Sequence, residues 1–217
     1  YPANNHNRRL TMSSLLGLSR LIDVINTWVG KLTMWLILAA TLISAGNAVV
    51  RKAFSWSSNA MLEIQWYLFA GVFMLGAGYC LLQNAHVRID FISSRLTARM
   101  RNWIDIVGIV VVLFPLCLLI IQLGWPLFTK ALASGEMSSN AGGLIRWPVY
   151  ALIPAGFALL MLQGVSELIK RIAFLRGLGP DQLSHEIHKS DDEKLMEELA
   201  AQVAAETAAA EAAKKGA

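Results

Sequence analysis

The chain has 217 residues, 55% of them hydrophobic and 16% charged, with a formal net charge of +4. Soluble domains carry about 25% charged residues, so an ordinary water-soluble fold is excluded. The charges that remain are segregated: residues 181–217 hold nine of the fifteen acids and four lysines (net −5), which leaves 1–180 with fifteen basic and six acidic residues (net +9). A basic balance can serve nucleic acid, but these cations sit in short loops beside apolar runs, the pattern of a membrane surface. The expected partner is membrane lipid, with no nucleic acid.

Residues 1–27 read as a cytoplasmic segment with an amphipathic lead-in helix. Leu15, Leu18, Ile22, Ile25 and Val29 recur at steps of three and four, one apolar stripe. A cleavable leader is not expected, because the first long apolar run starts only near Trp28. A helix needs about 20 mostly apolar residues to cross ~30 Å of hydrocarbon. Residues 28–50, 62–85, 103–128 and 148–169 each meet that length. Small residues thin the first two spans, Ala40, Ser44 and Ala48 at every fourth position and then Gly71, Gly76 and Gly78, which lets helix backbones approach closely. Before the third span, Ile92, Leu96, Met100 and Trp103 form a second interfacial stripe flanked by Arg95 and Arg99. Trp103 and Trp125 bracket the third span at about 33 Å, the separation of two aromatic belts. Pro115 and Pro154 fall inside spans three and four, where neighbouring helices can satisfy the freed carbonyls. Beyond residue 176 an Ala/Glu/Lys-rich tail, 177–217, reads as solvated and helical in part or disordered.

The fold class is thus all-α integral membrane, with a four-helix domain over 28–176. Segments on one side of the spans hold Arg8, Arg9, Arg20, Arg88, Arg95, Arg99, Arg101, Lys170, Arg171 and Arg176; the opposite loops hold only Arg51, Lys52, Lys130 and Arg146. Ten against four places both termini in the cytoplasm.

Ionisable groups deep in a bilayer are costly and mark function. The span middles here are nearly bare: Lys31, Glu63 and Asp105 lie near span ends, where side chains reach water, and so do Asn47, Gln83, Gln122 and Gln163. A bis-His haem anchor needs two histidines within spans, and only His86 lies near one. Cys80 and Cys117 sit in apolar stretches without ligand spacing and read as packing residues. Neither a phosphate loop nor a nucleophile motif is present. No enzymatic activity, cofactor or metal is expected.

Three stretches together resemble a known family. Span two opens Glu63-Ile-Gln-Trp66-Tyr67 and exits His86-Val-Arg-Ile-Asp90; a loop Ser138-Ser-Asn-Ala-Gly-Gly143 then leads to Arg146-Trp147-Pro-Val-Tyr150 and Pro154. The set is similar to the small permease subunit, DctQ type, of tripartite ATP-independent periplasmic (TRAP) transporters, over about residues 15–176. The resemblance implies a non-catalytic subunit of a sodium-coupled symporter of the bacterial inner membrane, N-in and C-in. It implies two partners, a large elevator permease subunit and a periplasmic substrate-binding protein that captures organic anions, usually carboxylates. The loop and the Glu-Ile-Gln-Trp opening are nearest a branch associated with 2-oxo acids, lactate, mannitol or chloroaromatic acids. The acidic tail departs from the shorter family pattern.

On the matching residues, Glu63, Trp66, Tyr67, His86 and Asp90 are candidate structural or subunit-interface positions, and Arg146, Trp147 and Tyr150 candidate docking positions for the periplasmic protein. Glu63 is expected either to pair with Arg51 or Arg146 or to stand as a solvated end carboxylate. His86 and Asp90 suit a turn cap or a large-subunit contact, and Trp147 suits docking or an aromatic belt. The competing readings are a cofactor-bearing anchor of a respiratory complex and a stand-alone small carrier.

Overall fold

The computed structural model describes the backbone of residues 3–55, 58–83, 96–179 and 199–200, with side chains from residue 13 onward. The expectations for His86, Asp90, residues 92 and 95, and nearly all of the tail lie outside the described residues. The chain divides into one unit over Tyr1–Pro180 and another over Asp181–Ala217. In the first unit α1 runs Ala3–Phe54 and α2 Asn59–Leu82. Next, α3 (Ala98–Gly108) passes through a π-helical turn, Ile109–Leu113, into α4 (Phe114–Ser134), and α5 spans Trp147–Leu175. Among the described residues four stretches, with α3 and α4 as one of them, are long and apolar enough to cross a membrane.

The lead-in and the first span are one helix of 52 residues, about 78 Å at ~1.5 Å per residue and so far longer than a bilayer core. Its inward seam shares only Ile22 and Val29 with the predicted apolar stripe. Leu15, Leu18 and Ile25 are exposed, while Ser19, Asn26, Thr33, Ala40 and Asn47 are buried at a strict seven-residue spacing. Buried Ile22 and half-buried Val29, Leu36, Ile43 and Val50 follow three residues after each of these. This is a left-handed coiled-coil seam with small or polar residues at one position and larger aliphatics at the other. Of the predicted Ala40/Ser44/Ala48 face, only Ala40 turns inward; Ser44 and Ala48 are exposed. The reason is physical. With hydrocarbon as solvent, burying Leu gains little, and close van der Waals packing plus interhelical hydrogen bonds decide which face turns inward.

α2 packs on α1 and α5, and α5 also meets α1, α3 and α4, so α5 is the central helix. Glycines set the close contacts of α2 with α1 and α5. A Cβ at Gly156 would lie 2.4 Å from the Met74 carbonyl oxygen, and one at Gly30 2.4 Å from the Tyr79 ring. At Gly78 it would lie 2.3 Å from Asn26 Oδ1.

The third spanning stretch starts at Thr97, whose hydroxyl accepts from Met100 N at 3.4 Å, an N-cap. Its π turn ends at Leu113, two residues before Pro115. Proline lacks the N–H that would continue the ladder, and the wider turn absorbs the missing bond. α4 continues to Ser134, beyond the predicted end at 128, and stops where Gly135 takes φ +61°, a left-handed C-terminal residue that glycine adopts without strain.

Two glycine substitutions check this packing by thermal unfolding in detergent. Gly156→Ala pushes α5 from the α2 backbone and costs about 1–3 kcal/mol. Gly46→Ala, which meets nothing within 4 Å, is neutral or stabilising by about 0.5–1 kcal/mol.

Candidate functional site

Polar side chains gather at the two ends of the helical body. At one end Asn59, Glu63 and Tyr67, at four-residue spacing, share a face of α2 and hold the connection between α4 and α5. Asn59 Nδ2 donates to the Ala141 carbonyl at 3.0 Å. Tyr67 Oη donates to the Ile145 carbonyl at 3.2 Å. Glu63, only 5% exposed, accepts from Ser138 Oγ, from Asn140 Nδ2 at 2.7 Å and from the Leu144 N–H at 2.7 Å. Three donors around one carboxylate are what a buried anion requires.

The connection is itself folded as a small hairpin. Met137 and Ile145 form an antiparallel bridge, with Ser138 N donating to Leu144 O and Arg146 N to Glu136 O, each at 2.9 Å. Gly142 sits at φ +70°, and at Gly143 a Cβ would come within 2.5 Å of Ser138 Cβ. The Ser-Ser-Asn-Ala-Gly-Gly segment is therefore a shaped tip seated on Glu63.

Both expectations for Glu63 are corrected by this geometry. It is neither a solvated carboxylate nor the partner of Arg51 or Arg146; backbone and neutral donors of the hairpin surround it. Arg146 pairs instead with Glu136 at 3.0 Å, their side chains 33% and 40% exposed, a pair of small energetic weight. A hydrogen bond with Tyr150, then one with Glu136, raises the Arg146 pKa. Arg146, Trp147 and Tyr150 lie together where the hairpin enters α5: Trp147 is exposed, and Arg146 and Tyr150 are half-buried. Trp66, 70% exposed, points away from the body and continues into exposed Phe69 and Phe73. It does not join the Glu63 cluster.

At the other end a larger network lies between helices. Ser166 donates to Asp23 Oδ1 at 2.7 Å, which leaves Ser19 to donate to Ser166 Oγ at 2.7 Å. Asn26 Nδ2 donates to Gln163 Oε1 at 2.9 Å, and Gln163 Nε2 to Asp23 Oδ1 at 3.0 Å. Lys170 Nζ lies 2.8 Å from Asp23 and 2.9 Å from Glu167. Arg171, with a side chain only 2% exposed, pairs with Glu167 and reaches Asp105 at 3.1 Å. These contacts tie α1, α3 and α5 together. Measured from Trp147, Glu167 and Arg171 stand about 30 and 36 Å along the helix, at the far edge of a ~30 Å hydrocarbon layer.

Sequence reasoning missed this cluster. It treated Asp105 and Gln163 as solvated span-end groups and counted Lys170 and Arg171 as loop charges. The signal was present as Gln163, Ser166, Glu167, Lys170 and Arg171 at helical spacing, a polar face on an otherwise apolar helix. Asn59, too, escaped notice. The remaining acceptor, Asn26 Oδ1, has no hydrogen-bond partner. It rests on the Gly78 backbone, where only a glycine Cα–H leaves room.

Arg171→Met leaves Glu167 short of its buried partner and costs about 3–5 kcal/mol, read as a lower melting temperature in detergent. Glu63→Gln sets an amide against donors that need an acceptor. Hydrogen exchange over residues 136–146 then speeds up about tenfold, the equivalent of one lost charge-assisted bond, while α5 keeps its protection.

Both clusters fasten helices and loops, and neither brings a nucleophile and a base to a common open cleft. Neither a curated protein nor a solved structure matches the chain. One family model does match: the DctQ component of tripartite ATP-independent periplasmic transporters, over residues 40–174, more than half of the chain. The chain therefore belongs to the DctQ family and is a multi-pass membrane component of a TRAP transporter, not an enzyme.

Proposed function

We propose that this DctQ component is a fixed scaffold in a sodium-coupled, binding-protein-dependent transporter of organic anions, most simply carboxylates. The observation that carries the reading is where its ionisable groups stand. From Lys31 to Arg51, Glu63 to Leu82, Asp105 to Lys130 and Trp147 to Glu167, the helix interiors contain no Asp, Glu, Lys or Arg. The ionisable groups in the two clusters are already engaged in static contacts. A carrier that moved sodium and an anion by itself needs polar groups free at mid-depth.

In this reading a large permease subunit carries the transport sites and a periplasmic protein delivers the substrate. The cation bias puts the Lys170–Arg176 end and both termini in the cytoplasm of the bacterial inner membrane. The hairpin then faces the periplasm, where Arg146, Trp147 and Tyr150 offer a cation and two aromatic rings to the binding protein. Trp66, Phe69 and Phe73 form an outward aromatic ridge on α2 suited to an apolar subunit within the bilayer. The hairpin sequence favours the branch for 2-oxo acids, lactate, mannitol or chloroaromatic acids.

Co-purification and uptake test the reading together. Tagged protein brings down a larger multi-span subunit, and Trp66→Ala with Phe73→Ala weakens its retention. Arg146→Glu leaves that pair intact yet lowers binding-protein-dependent uptake about tenfold or more. Sodium-driven uptake by this chain alone in liposomes defeats the proposal.

A further inference from the structure

Beside the Arg171–Asp105 ion pair, on the outer side of the α3–α5 contact, lies a cavity of about 360 Å³ lined by Trp103, Ile106, Ile172, Leu175 and Arg176. Its walls are aliphatic and aromatic, and its single charged lining residue is a guanidinium. Ile172, Leu175 and Arg176 come from one face of α5, and Trp103 and Ile106 from one face of α3. Arg99 stands one turn before Trp103 on that same α3 face. Both Arg99 and Arg176 are exposed, and among the described residues neither makes an ion pair. Trp103 is 58% exposed, at the level where indole rings favour the membrane–water boundary.

We propose that this cavity binds one anionic phospholipid, its phosphodiester held by Arg176 and Arg99 and the first part of an acyl chain lying against Ile106, Ile172 and Leu175. Three observations converge on that occupant. The walls offer no polar partner for a soluble metabolite's body, which excludes a hydrophilic ligand. Two guanidiniums without carboxylate partners complement a phosphate, whereas a purely apolar occupant leaves them unused. The cavity also lies at the end of the spans, in the layer where phosphates and the first methylenes meet, and basic pockets between helices at that depth suit lipid head groups. The adjacent Arg171–Asp105 contact holds the two walls at fixed separation, so the cavity does not depend on the lipid to form.

The test uses the full chain, delipidated in detergent, with lipid retention followed by native mass spectrometry. Phosphatidylglycerol and phosphatidylcholine of identical acyl chains are compared, with inorganic phosphate as competitor. The expected result is one phosphatidylglycerol retained at least tenfold more tightly than phosphatidylcholine and not displaced by millimolar phosphate. Arg176→Gln and Arg99→Gln each weaken it about fivefold. Arg20→Gln, an exposed cation on α1 away from the cavity, leaves it unchanged. Equal retention of the two lipids, equal weakening by Arg20→Gln, or displacement by inorganic phosphate overturns the site. Melting temperatures of the variants, expected within a degree or two of the parent because all three side chains are exposed, separate lost binding from lost folding.

Discussion

A guanidinium with only 2% of its side chain exposed must be met by carboxylates, and the way Arg171 is met organises one whole end of the molecule. Glu167, one turn back on the same helix, supplies the first partner. Asp105 on α3 supplies the second and thereby fixes how α3 is rotated. Glu167 is shared with Lys170, which reaches Asp23 on α1, and Ser19, Asn26, Gln163 and Ser166 complete the cluster with neutral hydrogen bonds. Such a network is not a strong source of net stability, since desolvating each charge offsets much of the attraction. Its contribution is specificity. Any other rotation or depth of α1, α3 or α5 leaves a charge buried without a partner, which is far costlier than the packing lost.

The same logic explains why the bundle is inverted relative to a soluble one. Its largest fully buried side chains include Arg171, Gln163, Glu167 and Asn26, while Trp, Leu and Val crowd the exposed class. Water would reverse that order; hydrocarbon permits it, because outward apolar side chains lose nothing there. Glycine at 30, 78 and 156 then brings backbones near enough for the polar seam to close. The close contacts and the polar network are one device: Asn26 reaches Gln163 at 2.9 Å from a position where its own oxygen lies on Gly78.

This inversion also decides what was legible in the sequence. Span number and composition follow from hydropathy, and all four apolar runs appear as helices long enough to cross a bilayer. Which face of a run turns inward is harder to read, because amphipathic periodicity assumes that apolar means buried. Of the stripe Leu15, Leu18, Ile22, Ile25 and Val29 only Ile22 and Val29 turn inward, whereas the seven-residue repeat of Ser19, Asn26, Thr33, Ala40 and Asn47 was in plain view. Glu63 was singled out for a cation or for solvent, but its partners are neutral donors 75 to 81 residues away along the chain. They include a backbone N–H, which no pattern of charged residues can announce. The single helix across 3–54 was equally hidden, since interfacial lead-in and span differ in composition but not in backbone.

Sorting polar groups inward and apolar groups outward has a consequence for recognition. Within the bilayer this protein offers its surroundings little besides hydrocarbon and aromatic rings, so a partner at that depth must be recognised by shape and ring packing, as along Trp66, Phe69 and Phe73. Directional bonds are available only at the ends. There the hairpin presents Arg146 beside Glu136, and the α3–α5 contact leaves Arg99 and Arg176 free of ion pairs among the described residues. Glu63 seats the hairpin and Arg171 fixes the opposite end, so neither of these two proposed recognition surfaces need move for the other to be occupied. Fastened at both ends and lacking mid-depth charge, the bundle fits the scaffold role proposed above better than that of a carrier moving cargo itself.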